Sequence, residues 1–160
     1  MAIFNKYRII PEYCFGCYKV LVEPRSVIEL IKLFVVFDQL VLPDSNTRKC
    51  MVELRPEVPG YYKGLVYCQS LSDATVSVDL IKRAVDERIS PKIKVSIKRG
   101  CSEYAIAFPN YNRFILSDGE SMKYDKSWKS IEQEFDTDYS ITTNHIAAHS
   151  LSGLNLSNIL

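Results

Sequence analysis

Five cysteines, Cys14, Cys17, Cys50, Cys68 and Cys101, are the residues in this chain best suited to chemistry. Cys14-Phe15-Gly16-Cys17 has the spacing that lets two thiolates reach one ion, which is half of a zinc or iron–sulfur site. Cys50 and Cys68 are expected to complete it, with Cys101 in reserve. The competing reading makes Cys50, Cys68 and Cys101 small core hydrophobes and leaves Cys14 and Cys17 an incidental pair. A separate chemistry belongs to Cys101. Arg99-Gly100-Cys101 sets a cation close to a thiol, which would lower its pKa and suit a thiol-dependent enzyme or small-ligand sensor. No histidine is near it in sequence to act as a base. The residues therefore favour a binding or accessory module over an enzyme.

The elements that must position these thiols follow from pattern. Tyr18–Glu23 alternates as a strand, and Pro24 closes it. Ser26 with Glu29 three residues on is a capping-box pattern, which predicts a helix reaching about Leu40. Arg48–Arg55 reads as a second strand, Pro56-Glu57-Val58-Pro59-Gly60 as a turn, and Tyr61–Cys68 as a third strand antiparallel to the second. Ser70-Leu71-Ser72-Asp73 offers caps for a second helix to about Ile89. Ser90-Pro91 stops it, and Lys92–Ile97 is a fourth strand.

Right-handed crossovers make the first and second strands parallel, with the third between them and the fourth beyond the first. The expected fold class is α+β: a ferredoxin-like β-α-β-β-α-β sandwich with an antiparallel sheet. Tyr104–Phe108 and Arg113–Leu116 are expected to add a C-terminal hairpin. Tyr124, Trp128, Ile131 and Phe135 have the spacing of a further helix. Residues 1–136 make one expected domain with this extension, and 137–160 read as a loosely ordered tail. The topology sends all five cysteines toward one end of the sheet, with Cys50 almost opposite Cys68. The two edge strands lie roughly 14 Å apart, so one ion cannot hold both Cys50 and Cys101. The expected metal ligands are Cys14, Cys17, Cys50 and Cys68.

Alternation also assigns faces. Val20, Val22, Gly64, Val66, Val95 and Ile97 should lie under the helices. The opposite face carries Lys19, Lys49, Lys63, Tyr67, Lys94 and Lys98, a cationic surface suited to single-stranded nucleic acid. Lys63-Gly64-Leu65-Val66-Tyr67 resembles the third-strand motif of RNA-recognition domains. It departs from that motif at Leu65, where an aromatic is expected, and at Val66, where a small residue is expected. Lysines also discourage edge pairing on a merely solvated face.

The first helix is apolar over more than one face. Val27, Leu30, Ile31, Phe34, Phe37 and Val41 are expected to meet the sheet, and Leu33, Val35 and Val36 widen the arc. Either the C-terminal helix with Trp128 covers this surplus, or a protein partner or second subunit does. His145 and His149 have helical spacing but lack the glutamate of a zinc-protease helix. Glu132, Glu134, Asp136 and Asp138 read as a solvated acidic run.

The chain has 160 residues, of which 47% are hydrophobic and 24% charged, with a formal net charge of +1. These values suit a folded domain and give no strong overall pull toward nucleic acid or membrane. Val27–Leu42 is interrupted by Glu29, Lys32 and Asp38, so no membrane span is expected. Met1–Pro11 lacks the pattern of a secretory signal, so the expected location is the cytoplasm, with reduced thiols.

Overall fold

The computed structural model describes residues 2–114 and 122–138, which gather into two compact units. The larger lies within Tyr13–Lys123 and holds one antiparallel sheet of four strands: β1 (Tyr18–Glu23), β2 (Arg48–Val52), β3 (Tyr62–Cys68) and β4 (Lys94–Arg99). Their order is β2-β3-β1-β4, so β3 lies between β1 and β2, and β4 flanks β1 on its other side. β1 is antiparallel to both neighbours and therefore parallel to β2. The described helices include α1 (Ala2–Tyr7), α2 (Val27–Gln39), α3 (Leu71–Arg88) and α4 (Ser102–Ala107). The mixed α+β class and the antiparallel sheet agree with the sequence reading.

Local chemistry sets the helix starts. The Glu29 N–H donates to Ser26 Oγ at 3.2 Å, and the Asp73 N–H donates to Ser70 Oγ at 3.0 Å. Each serine thereby satisfies one main-chain donor that the first turn leaves without a helical acceptor. The Glu29 carboxylate turns back to the Arg25 N–H at 2.7 Å instead of closing the box on Ser26.

α2 and α3 lie side by side on one face of the sheet. Val20, Val22 and Val66 of the strands pack with Leu33 and Phe37 of α2 and with Ala74, Ile81 and Val85 of α3, all of them buried. Full burial of each large aliphatic side chain contributes about 1.5–3 kcal/mol. Gly64 allows the closest approach: a Cβ there would meet Leu33 Cδ2 and the Phe37 ring.

That contact also corrects the expected rotation of α2. Leu33, Val36 and Phe37 are buried, whereas Val27, Ile31, Phe34 and Val41 are exposed. A helix apolar on nearly every side gives periodicity little to choose between. The hollow at Gly64 decides, because it receives Leu33 and Phe37. The expected hairpin is likewise replaced. Ser102–Ala107 is α4, and Pro109–Asn112 is a short 3-10 turn. Tyr104 and Tyr111 are buried with their rings edge to face, centroids 5.6 Å apart. Leu116 lies outside the described residues.

The smaller unit takes its described residues from 2–12 and 124–138. The Glu12 N–H and the Tyr124 hydroxyl both donate to the Glu132 carboxylate, at 3.1 and 2.8 Å. Burial, then the Glu132 bond, pushes Tyr124 up to about 12. Tyr7 of α1 meets Phe135 edge to face. The expected third helix occupies 129–138, and Tyr124 precedes it. Of the expected tail, residues 139–160 lie outside the described residues, His145 and His149 among them. Among the described residues, no helix is long and apolar enough to cross a membrane.

The packing at Gly64 is directly testable. Gly64→Ala should lower stability by about 1–3 kcal/mol, because the added methyl overpacks a filled core. Urea unfolding would measure it.

Candidate functional site

The thiols divide into two groups. Cys14 and Cys17 close a tight turn, with the Cys17 N–H directed at Cys14 O at 3.4 Å. The Gly100 N–H reaches Cys17 O at 2.9 Å, which fixes this turn beside the end of β4. The Tyr111 hydroxyl donates to Cys14 O at 2.6 Å, and the Cys14 thiol donates to the Tyr104 oxygen at 3.8 Å. Burial pushes the Cys14 and Cys17 thiols up, and Cys101 stands near enough to add to both shifts. Both therefore remain protonated thiols at neutral pH.

Cys68 and Cys50 do not join them. Cys68 points its thiol at Val66 O, at 3.7 Å, and burial pushes it up to about 11. Cys50 pairs with Gly64, not with Cys68. It thus stands four residues, about 13 Å, along the strand from the position expected for it. Zinc–sulfur bonds of about 2.3 Å cannot span that gap. Among the described residues, no three His, Cys, Asp or Glu side chains are grouped to hold a metal ion.

The opposite face of the sheet carries the other expected set, in rows defined by strand pairing. Tyr67, Lys19 and Lys98 form the first row across β3, β1 and β4. Lys49, Leu65, Leu21 and Ser96 form the second. Lys63 and Met51 pair in the third, where Lys94 pairs with Glu23. Charge is balanced differently in each row. Lys63 is buried 3.5 Å from Glu53, and Lys94 lies 3.3 Å from Glu23. In the first row, Lys19 and Lys98 stand directly opposite each other. Among the described residues, neither makes an ion pair.

Like charges directly opposite on neighbouring strands destabilise a sheet. Burial, and then repulsion from Lys19 and Lys63, lowers the Lys98 pKa below its ordinary 10.5, with Glu103 opposing. Lys98 Nζ donates to Ser102 Oγ, and Lys19 Nζ lies 5.3 Å from the centre of the Tyr67 ring. Both contacts hold an ammonium in place without neutralising it.

The face is walled. A groove of about 370 Å³ runs between Ile106 of α4 and the Val58-Pro59 loop, with Lys63, Lys94, Lys98 and Ser96 among its lining residues. One buried carboxylate anchors the α4 wall. Glu53 accepts from Arg55 Nε and Nη2, both at 2.8 Å, and Arg55 also pairs with Glu103 of α4. Sequence reasoning missed this relay, the α4 wall and the buried Arg99 described below. Glu53-Leu54-Arg55 offers only an i, i+2 charge pair, and nothing in its spacing points to Glu103.

No family model, curated protein or solved structure matches this chain.

The Glu53 relay fixes a pH dependence. The Arg55 bonds hold the Glu53 carboxyl down at about 2, from an ordinary 4.5. A carboxyl lowered by folding adds stability that is complete above 4.5 and is lost as pH falls toward 2. Glu53→Gln should cost about 3 kcal/mol at neutral pH, because it leaves Lys63 buried without its counter-charge. It should also flatten the stability profile between pH 4.5 and 2. Urea unfolding at stepped pH measures both effects.

Proposed function

We propose that this chain is a binding module for single-stranded nucleic acid, with a phosphate held at the Lys19–Lys98 row and the strand running along the adjoining groove. One observation carries the reading: two lysines face each other across neighbouring strands, and among the described residues neither makes an ion pair with a carboxylate. An anion placed there would turn a repulsive pair into an attractive one. Lys94 and Ser96 extend the polar lining, and Tyr67 beside Lys19 offers a ring on which a base can stack. Lys63 serves differently from its expected role, because it is buried against Glu53. The fold behind the proposal is a ferredoxin-like β-α-β-β-α-β sandwich, a reading supported by the position of β3 between β1 and β2. The module would act in the cytoplasm, where its unpaired thiols stay reduced.

A labelled oligothymidine titrated at low salt tests the proposal. Binding should weaken steeply with added salt, and Lys98→Met should lower the log–log salt slope by about one. The same substitution should leave the melting temperature unchanged or raised, because it removes a like-charge contact. A nucleoside monophosphate is the control arm, and it should bind far more weakly than the strand. A flat titration at low salt would contradict the proposal. Equal affinity for the monophosphate would assign the site to a small phosphorylated molecule instead.

A further inference from the structure

β2 and β4 are the edges of the sheet. The β4 edge is occupied near its end, where the Arg99 N–H is directed at Asn112 Oδ1 at 3.3 Å. The outer edge of β2 pairs with no described strand. Its main-chain direction can be read from the flanking bonds. The Tyr67 N–H donates to Thr47 O at 2.9 Å, and the Glu53 N–H donates to Tyr61 O at 2.7 Å. In an antiparallel ladder this alternation turns residues 47, 49, 51 and 53 toward β3. Arg48, Cys50 and Val52 therefore present their main-chain donors and acceptors outward.

An apolar stripe runs along this flank, bordered by Asp38, Arg48 and Lys49. Val27, Ile28, Ile31, Phe34 and Val35 form an exposed stripe on α2, with Phe34 65% exposed. A hollow of about 230 Å³ lies beside Phe34, between α2 and Cys50 of β2. Val52, at the end of the strand, is also exposed.

The geometry points to a second copy of this chain as the occupant. The two β2 strands pair antiparallel about a two-fold axis at Cys50, and the α2 stripes pack against each other above the joined sheets. In this register Cys50 meets its counterpart and Arg48 meets Val52, so every outward main-chain group within the strand finds a complement. Lys49 falls opposite Met51, and no like charges stand directly opposed. The α2 stripe offers on the order of 500 Å² of apolar surface, most of the roughly 800 Å² that a standard interface buries on each side. The β2 edge with Val52 adds the remainder. This inference is independent of the nucleic-acid reading, since the stripe lies on the helix side of the sheet.

Sedimentation equilibrium of the purified full chain tests it. The expected mass is twice 18.3 kDa. Phe34→Glu should keep native far-UV circular dichroism and a cooperative melting transition, because the side chain is exposed, while weakening the dimer about 30-fold or more. A short bis-maleimide should join two wild-type chains but not two Cys50→Ser chains. A monomeric mass at all concentrations would overturn the inference and leave the flank to a different protein. A dimer that survives Phe34→Glu and is not joined through Cys50 would also overturn it, by placing the interface on another face.

Discussion

The buried Arg99 guanidinium organises the end of the sheet on which the rest of the larger unit depends. Its Nε donates to Phe15 O at 3.0 Å, and its Nη1 donates to Met122 O at 3.0 Å and is directed at Tyr111 O at 3.5 Å. The charge also lies over two rings, 4.7 Å from the centre of Phe15 and 5.1 Å from that of Tyr111. A buried cation needs its donors satisfied. Those acceptors are supplied by three separate segments, and satisfying them draws the segments together. The turn holding Cys14 and Cys17, the Pro109–Asn112 turn and residue 122 all take their places around it. Gly100 follows from this arrangement. It adopts φ +51°, and a Cβ would strike the Tyr111 ring, so only glycine lets the chain leave β4 and enter α4 there.

The groove follows from that exit. α4 is carried to the cationic side of the sheet and held there by the Arg55–Glu103 pair, so the face becomes a walled channel instead of an open platform. The walls matter electrostatically. They half-bury Lys98 beside Lys19, where solvent screens the repulsion less than it would on a flat surface. In the third row the lysines have carboxylate partners, and in the first row, among the described residues, they do not. The first row differs from the others in setting two lysines directly opposite each other, and the proposed site rests on that difference.

Much of the sheet was legible in the sequence because it rests on local rules. Alternation placed Lys19, Lys49, Lys63, Tyr67, Lys94 and Lys98 on one face. Ser26 and Ser70 announced their helices, and the crossover rule placed β3 beside β1. What failed depended on contacts distant in sequence. A turn centred on Val58-Pro59, within the expected Pro56–Gly60 turn, would set Cys50 opposite Cys68. The pairing is instead centred on Glu57, with the Glu53 N–H bonded to Tyr61 O, so Cys50 meets Gly64. That shift removes Cys50 from the expected set of ligands, and Cys68 turns its thiol to Val66 O. Tyr104, Ile106 and Phe108 alternate like a strand, yet burial of Tyr104 against Tyr111 and Cys14 winds the segment into α4. The rotation of α2 was hidden for the opposite reason: its sequence is apolar on too many sides to indicate one.

The account turns on whether the Lys19–Lys98 row carries unbalanced positive charge that a phosphate relieves. The most direct measurement is the Lys98 pKa, followed by NMR on protein with isotope-labelled lysine side chains, with and without single-stranded oligothymidine. The account predicts a value below 10.5 in the free protein, rising when the strand is added. A Lys98 that titrates normally and does not respond to the strand would contradict it.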